Sequence, residues 1–199
     1  MKINEITQRI VWHSSHVPDI QEFRFLTHLG TWAAAVERAL QKDFYTDMLM
    51  ADLGPKTYMY QVNIDACERG IRIKDDPDYG DPWDHIAYNW DRMPTEIQTN
   101  ISKDAPYHEL AEKLPDMFKS LGIDYLWYYN RIESPRSKSY IALNPKCFKI
   151  IDIHAYAPRE LLLADPRVID LQVRRGMWAK STAQKIKSIL RARDPNIKF

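Results

Sequence analysis

The sequence predicts an α+β fold: a β-sheet core drawn from both ends of the chain, a helical insertion between them, and a helical C-terminal extension. Three observations carry that expectation. Short runs rich in β-branched and aromatic residues fill the first 75 residues and return after Gly122. The stretch between them is polar, with apolar residues at helical spacing, and everything beyond Pro158 reads as helix.

In chain order, RIVWHS is a short strand, and FRFLTHL alternates Phe23, Phe25 and Thr27 with Arg24, Leu26 and His28, as a half-buried strand does. Gly30 breaks it, and Thr31 is placed to cap the helix WAAAVERALQKDF, whose Trp32, Ala35, Val36, Ala39 and Leu40 share one face. TYMYQVNID and, after Gly70, IRIKD are further strands. In the insertion, DPWDHIAYNWDRM is helical, PTEIQTNISKDAP is expected to be a long loop, and Pro115 is expected to kink or split the next helix. IDYLWYYN, SYIALN and CFKIIDIHAY complete the strands, and Ser181 with Gln184 forms an expected capping box opening a last helix to about Arg193. The division is therefore a core over residues 1–154, with 76–122 inserted, and a basic extension over 155–199.

A chain of 199 residues, 45% hydrophobic and 28% charged, has the length and composition of one globular domain, or of one domain with an appendage. It has no apolar run of the ~20 residues that span a bilayer and no signal-peptide core at its start, so a soluble cytoplasmic protein is expected. Cys67 and Cys147 lack metal or redox spacing; two buried thiols are expected, with pairing reserved for an oxidising compartment. Residues 151–199 hold ten Lys or Arg against five Asp or Glu, a net +5 that leaves −4 for the remainder. That asymmetry suggests a nucleic-acid-facing tail (Arg174, Arg175, Lys180, Lys185, Lys187, Arg191 and Arg193) or, equally, a solvated helix docked by an Ala183, Ile186, Ile189 and Leu190 stripe.

The chain has no GxSxG, P-loop, HExxH or GxGxxG, and no metal site is expected. His85 and Asp84 read as packing or surface residues, and His16 as a loop residue. What remains is one polar residue at the end of each of three strands: His13, His28 and Glu133. Singly, each has an ordinary structural explanation.

Their order changes that weighting. VWHSSH, FRFLTHLGTWAAAVERA, YMYQVNID and LGIDYLWYYNRIESPRSKSYIALNPKCFKI, in this sequence, resemble the ADP-ribosyltransferase superfamily. The likeness is to its phage and mobile-element branch, found in polyvalent proteins. It covers both ends of residues 8–151 and implies a split β-sheet core of that family. It also implies NAD as substrate, with no metal. His13 would hold the adenosine-side ribose, Ser14 would meet the carboxamide through its backbone, His28 would stack on the nicotinamide, and Glu133 would hydrogen-bond the nicotinamide ribose. A fixed carboxylate there stabilises the oxocarbenium-like state and orients the acceptor. The nicotinamide nitrogen is already cationic, so no strong general acid is needed. Ser14 and Ser15 stand where Gly-Thr is common and His28 where Tyr is common, which gives a ring able to titrate. Arg131 stands where arginine-modifying members carry Gln or Glu, which points instead to a phosphate-bearing acceptor or to NAD itself. The resemblance thus implies transfer of ADP-ribose to a protein or nucleic-acid acceptor in a bacterial host cell, with no membrane partner. The alternatives are a degenerate binding or inhibitory module on the same fold, and a nucleic-acid-binding protein acting through its tail.

Overall fold

The computed structural model describes residues 9–42, 56–74, 82–130, 137–174, 176 and 178–199. Among the described residues, seven strands form two sheets. The first is antiparallel in the order β1 (Ile10–Ser15), β3 (Thr57–Asn63), β7 (Lys149–Tyr156). The second runs β2 (His28–Leu29), β6 (Ser137–Ala142), β5 (Tyr125–Asn130), β4 (Gly70–Arg72), with only β4 and β5 parallel. The fold is α+β, and the chain on both sides of the insertion contributes strands, as the sequence predicts.

Strand alternation sorts the core into layers. Val11, Tyr60 and Val62 of the first sheet meet Leu29 and Ala142 of the second, so the sheets pack on one another. The other face of the first sheet, through Met59, lies under α1 (Trp32–Lys42) and the helices α5 (Pro158–Ala164), α6 (Arg167–Arg174) and α7 (Lys180–Arg193). The other face of the second sheet, through Leu126, Tyr128 and Ile141, is covered by α2 (Pro82–Tyr88), α3 (Thr95–Asn100) and α4 (Tyr107–Ser120). The extension is thus an outer layer sharing one core with α1.

Local chemistry explains several of these elements. Thr31 Oγ1 accepts from the Ala34 N–H (3.3 Å), the cap expected for α1. The helix α4 ends in a left-handed Gly122 (φ 63°), with the Ile123 N–H on the Phe118 carbonyl and the Gly122 N–H on the Lys119 carbonyl. This paired pattern satisfies carbonyls that would otherwise be orphaned.

Five expectations need correction. FRFLTHL is a strand only at His28–Leu29. Arg24–Thr27 is a turn, closed by Thr27 N–H on the Arg24 carbonyl and by Arg24 N–H on Thr27 Oγ1. It sends Phe23 between the sheets and Leu26 into the insertion core. The segment expected to be a loop contains α3, anchored by buried Ile97. α4 runs through Pro115 unbroken, since Leu114 and Phe118 are buried on either side of it in the sequence and hold the helix against the sheet. α7 starts at Lys180 after Ala179, so Ser181 lies inside the helix and makes no cap. Finally, Cys67 and Cys147 are joined in a disulfide with Cα atoms 5.2 Å apart. Pairing of β3 with β7 brings the two residues within bridging range, which their spacing in sequence could not reveal.

Candidate functional site

The seam between the sheets is made by the backbone. The Trp12 and Gly30 N–H groups each donate to the other's carbonyl (2.8 and 2.9 Å), tying β1 to the end of β2. A Cβ on Gly30 would sit 3.0 Å from that of Ala34, so the residue's smallness lets α1 start directly against the seam.

His13 and His28 meet here, through one ring and one backbone group. His13 Nδ1 donates to the His28 carbonyl (2.8 Å), which makes Nε2 the accepting nitrogen whenever the ring carries one proton. The His13 ring lies between the sheets, 5.2 Å from Phe23 and 6.3 Å from Tyr60. The His28 ring turns towards the insertion, where His85 (5.2 Å) and Tyr128 (5.9 Å) surround it and the Tyr128 hydroxyl lies 3.4 Å from Nε2. The two histidine rings therefore occupy neighbouring layers.

Burial lowers the His28 pKa to about 3, helped by His85, Arg38 and His13, since any positive charge they carry disfavours one on His28. The ring that could have titrated near neutrality is held neutral.

Ser14 follows on β1 beside Met59, its buried hydroxyl facing the α1 layer without a hydrogen-bond partner among the described residues. Its backbone is another matter. Trp12 turns its N–H and C=O away from β3 towards Gly30, and two residues on, alternation turns those of Ser14 the same way. Ser14 thus presents both backbone groups along the edge where β2 diverges.

Glu133, Arg131 and Arg175 lie outside the described residues. Arg174, Lys180, Lys185, Arg191 and Arg193 are exposed, but Lys187 is tied to Asp170 (2.6 Å), and both it and Arg191 lie over the Phe199 ring. The expectation that Lys187 faces solvent unengaged is corrected. Ala183, Ile186 and Leu190 are buried as expected, with Ile189 at the margin. The sequence reading missed Arg38, Tyr128 and the proximity of His85 to His28. Arg38 lies seven residues after Thr31 on the helix that leaves the seam, a signal visible only once the strand before it is identified.

Among the described residues, no group of three or more His, Cys, Asp or Glu side chains is gathered as a metal site, and no helix is long and apolar enough to cross a membrane. A concavity of about 590 Å³ between Ile20 and Phe148 contains none of the candidate residues. The chain matches no protein-family model, no curated protein and no solved structure.

Proposed function

We propose that this protein is an NAD-dependent ADP-ribosyltransferase acting on a macromolecular acceptor in a bacterial cell, in keeping with the phage branch its sequence resembles. The observation that carries the reading is the seam, where His13 is fixed by the His28 carbonyl beside the open backbone edge of Ser14. His13 Nε2, as an acceptor, suits a ribose hydroxyl, and the paired N–H and C=O of Ser14 suit a carboxamide, which both accepts and donates. A neutral His28 does not repel the cationic nicotinamide ring.

In the reaction, the bond between ribose C1′ and the nicotinamide nitrogen breaks, and its electron pair neutralises the leaving nicotinamide. A nucleophilic atom of the acceptor bonds to C1′ and passes its proton to Glu133. The carboxylate's larger contribution is to the positive charge on the ribose, which it stabilises far more in a water-poor cleft than in bulk water.

One observation favours the degenerate binding module instead: His85 and Tyr128 already pack against His28, so the ring has limited surface to offer a nicotinamide. Incubation with labelled NAD and a bacterial lysate, followed by protease and nuclease digestion, separates the two and identifies the acceptor class. Glu133→Gln is expected to cut transfer by about a hundredfold or more with an unchanged melting temperature. Full transfer by that variant removes Glu133 from the mechanism, and NAD binding without any transfer selects the binding module.

A further inference from the structure

The first sheet ends on β7, and one side of that strand carries no partner strand among the described residues, β3 being on the other. Trp12 turns its N–H and C=O away from β3, so Gln61 opposite it turns its own towards β7, where Asp152 faces it. The next residue, Ile153, therefore presents its N–H and C=O outward, and by alternation so does Ala155. The Ile153 N–H donates to the side-chain carboxylate of Asp152 (2.8 Å), off the ladder.

Open strand edges invite pairing with another chain, and proteins blunt them with shortness, lysine, proline or a cover. Among the described strands, the other sheet edges follow that rule. β2 and β4 are two and three residues long, and β1 is tied to Gly30 at Trp12. β7 is eight residues long, with neither lysine nor proline from Ile150 to Tyr156. Ile151, Asp152, Ile153 and Ala155 are exposed, which leaves two isoleucines in water on a ready template. A bulge bends β7 near Ile151 but leaves Asp152–Tyr156 in regular register.

The strand is also complementary to itself. Two copies can pair antiparallel about a two-fold axis, provided that outward backbone groups meet outward backbone groups. With the axis at Ile153, its N–H and C=O meet those of Ile153 in the second copy, and Ile151 faces Ala155. Asp152 then lies opposite His154 of the second copy, twice per pair. These side chains are already partners within one strand, His154 Nε2 lying 3.3 Å from Asp152 Oδ2. An imidazole N–H can donate to a carboxylate whether the ring holds one proton or two. An axis at Asp152 or at His154 would instead set like groups against each other. The spacing of acid and imidazole around an outward-facing isoleucine therefore singles out a second copy of this chain as the occupant.

We propose that β7 is a dimerisation edge, pairing antiparallel with its copy about Ile153 and joining two three-stranded sheets into one of six. Asp152 is the latch: it caps the Ile153 N–H in the single chain and turns to His154 of the second copy in the pair. The inference rests on the strand edge alone and does not require NAD chemistry.

The test is disulfide trapping together with sedimentation velocity. The chain's two cysteines are joined to each other, so an introduced cysteine supplies the free thiol. In the proposed pairing, the two copies of residue 153 have Cα atoms about 5.5 Å apart, within reach of a disulfide. The two copies of residue 151 are four positions out of step, about 13 Å along the strand, and out of reach. Ile153→Cys is expected to form a covalent dimer on mild oxidation, and Ile151→Cys to form at least about tenfold less. Wild-type protein should pass from monomer to dimer as its concentration rises. Asp152→Lys changes an exposed side chain and sets a lysine against His154 twice, so it should weaken dimerisation about fivefold or more. That variant keeps the test decisive if a cysteine variant does not fold. The proposal is overturned if the wild type stays monomeric to about 1 mM, which leaves the edge to an extended peptide of another protein. It is overturned equally if residue 151 cross-links as readily as residue 153, or if Asp152→Lys dimerises like wild type.

Discussion

Helices cover one face of each sheet, yet the insertion over the second sheet and the tail over the first differ in how they use polar residues. Among the described residues, the polar groups buried within the insertion are His85 and Asn89. Asn89 bonds the His85 carbonyl and receives the Lys74 N–H, and His85 stacks on Tyr128 beside His28. The tail instead fixes itself with ion pairs, Arg167 to buried Asp165 within one loop and helix, and Lys187 to Asp170 between α7 and α6. A hydrogen-bonded and aromatic network reaches the seam from the insertion, whereas charge pairs staple a cover whose apolar residues do the docking. A run of Lys and Arg in a sequence is therefore a statement about partners only after its own acids have been matched to it.

If the covers are independent layers on a common seam, loosening the seam should weaken both together. The Cys67–Cys147 bridge closes a loop with a sequence separation of 80 between the end of β3 and the turn before β7. Replacing both cysteines with alanine is expected to lower unfolding free energy by about 4 kcal/mol, measured by urea denaturation without reductant. Fluorescence of both covers should fall in one transition, and two transitions would show that the layers unfold separately. Disulfides persist in oxidising compartments, so the expected cytoplasmic location and the bridge pull in opposite directions. Thiol labelling of protein taken directly from cells decides between them.

Next in size are core truncations, one per cover. Leu114 in α4 and Ile186 in α7 are both essentially inaccessible. Leu114→Ala and Ile186→Ala should each cost about 2–5 kcal/mol, read from denaturation midpoints. Similar losses mean that the tail is as integral as the insertion. A negligible loss for Ile186→Ala would return the tail to the status of an appendage.

The contrast also shows what the sequence could disclose. Strands β3, β5, β6 and β7 and the helices of the tail follow from strong local patterns, because alternation and helical spacing survive without tertiary context. FRFLTHL misleads because its alternation is real but serves two cores, with Phe23 and Leu26 entering different layers around a left-handed Leu26 (φ 67°). α3 is too short for periodicity to register, with Ile97 as its one buried residue. At the seam, the candidates His13 and His28 are readable from order and residue type. Their link through a ring nitrogen and a backbone carbonyl is not, and neither is the approach of His85, contributed by a segment some 57 residues further on.

A pH experiment sharpens the histidine side of the contrast. His28 has a folded pKa of about 3 against an ordinary value of 6.5. The unfolded chain therefore binds the extra proton first, so the stabilisation is complete above pH 6.5 and is lost as pH falls towards 3. Asp65, Asp91 and Glu109 are displaced downward from their ordinary values of 3.8 to 4.5, so these three are ionised in both states above about pH 5. Between pH 5 and 6.5, stability should rise with pH in the wild type, and His28→Phe should flatten that slope. An equal slope in both proteins would mean that His28 is not the group responsible.

The smallest effect tests the charged half. Lys185 and Lys187 lie two residues apart on α7, and their positive charges look equivalent in the sequence. In the fold, Lys185 is exposed, while Lys187 keeps 20% of its side chain accessible, pairs with Asp170 and rests over Phe199. Lys187→Gln loses an ion pair that is only partly screened by solvent, together with stem packing on the ring, and should cost about 1 kcal/mol. Lys185→Gln should change stability by less than about 0.5 kcal/mol. Raising salt should shrink the Lys187 difference without removing it, because screening acts on the charge pair and not on the contact with Phe199. If the two variants melt alike, the Asp170–Lys187 bridge contributes nothing to holding α7 against α6, and the apolar stripe of Ala183, Ile186 and Leu190 alone docks the helix.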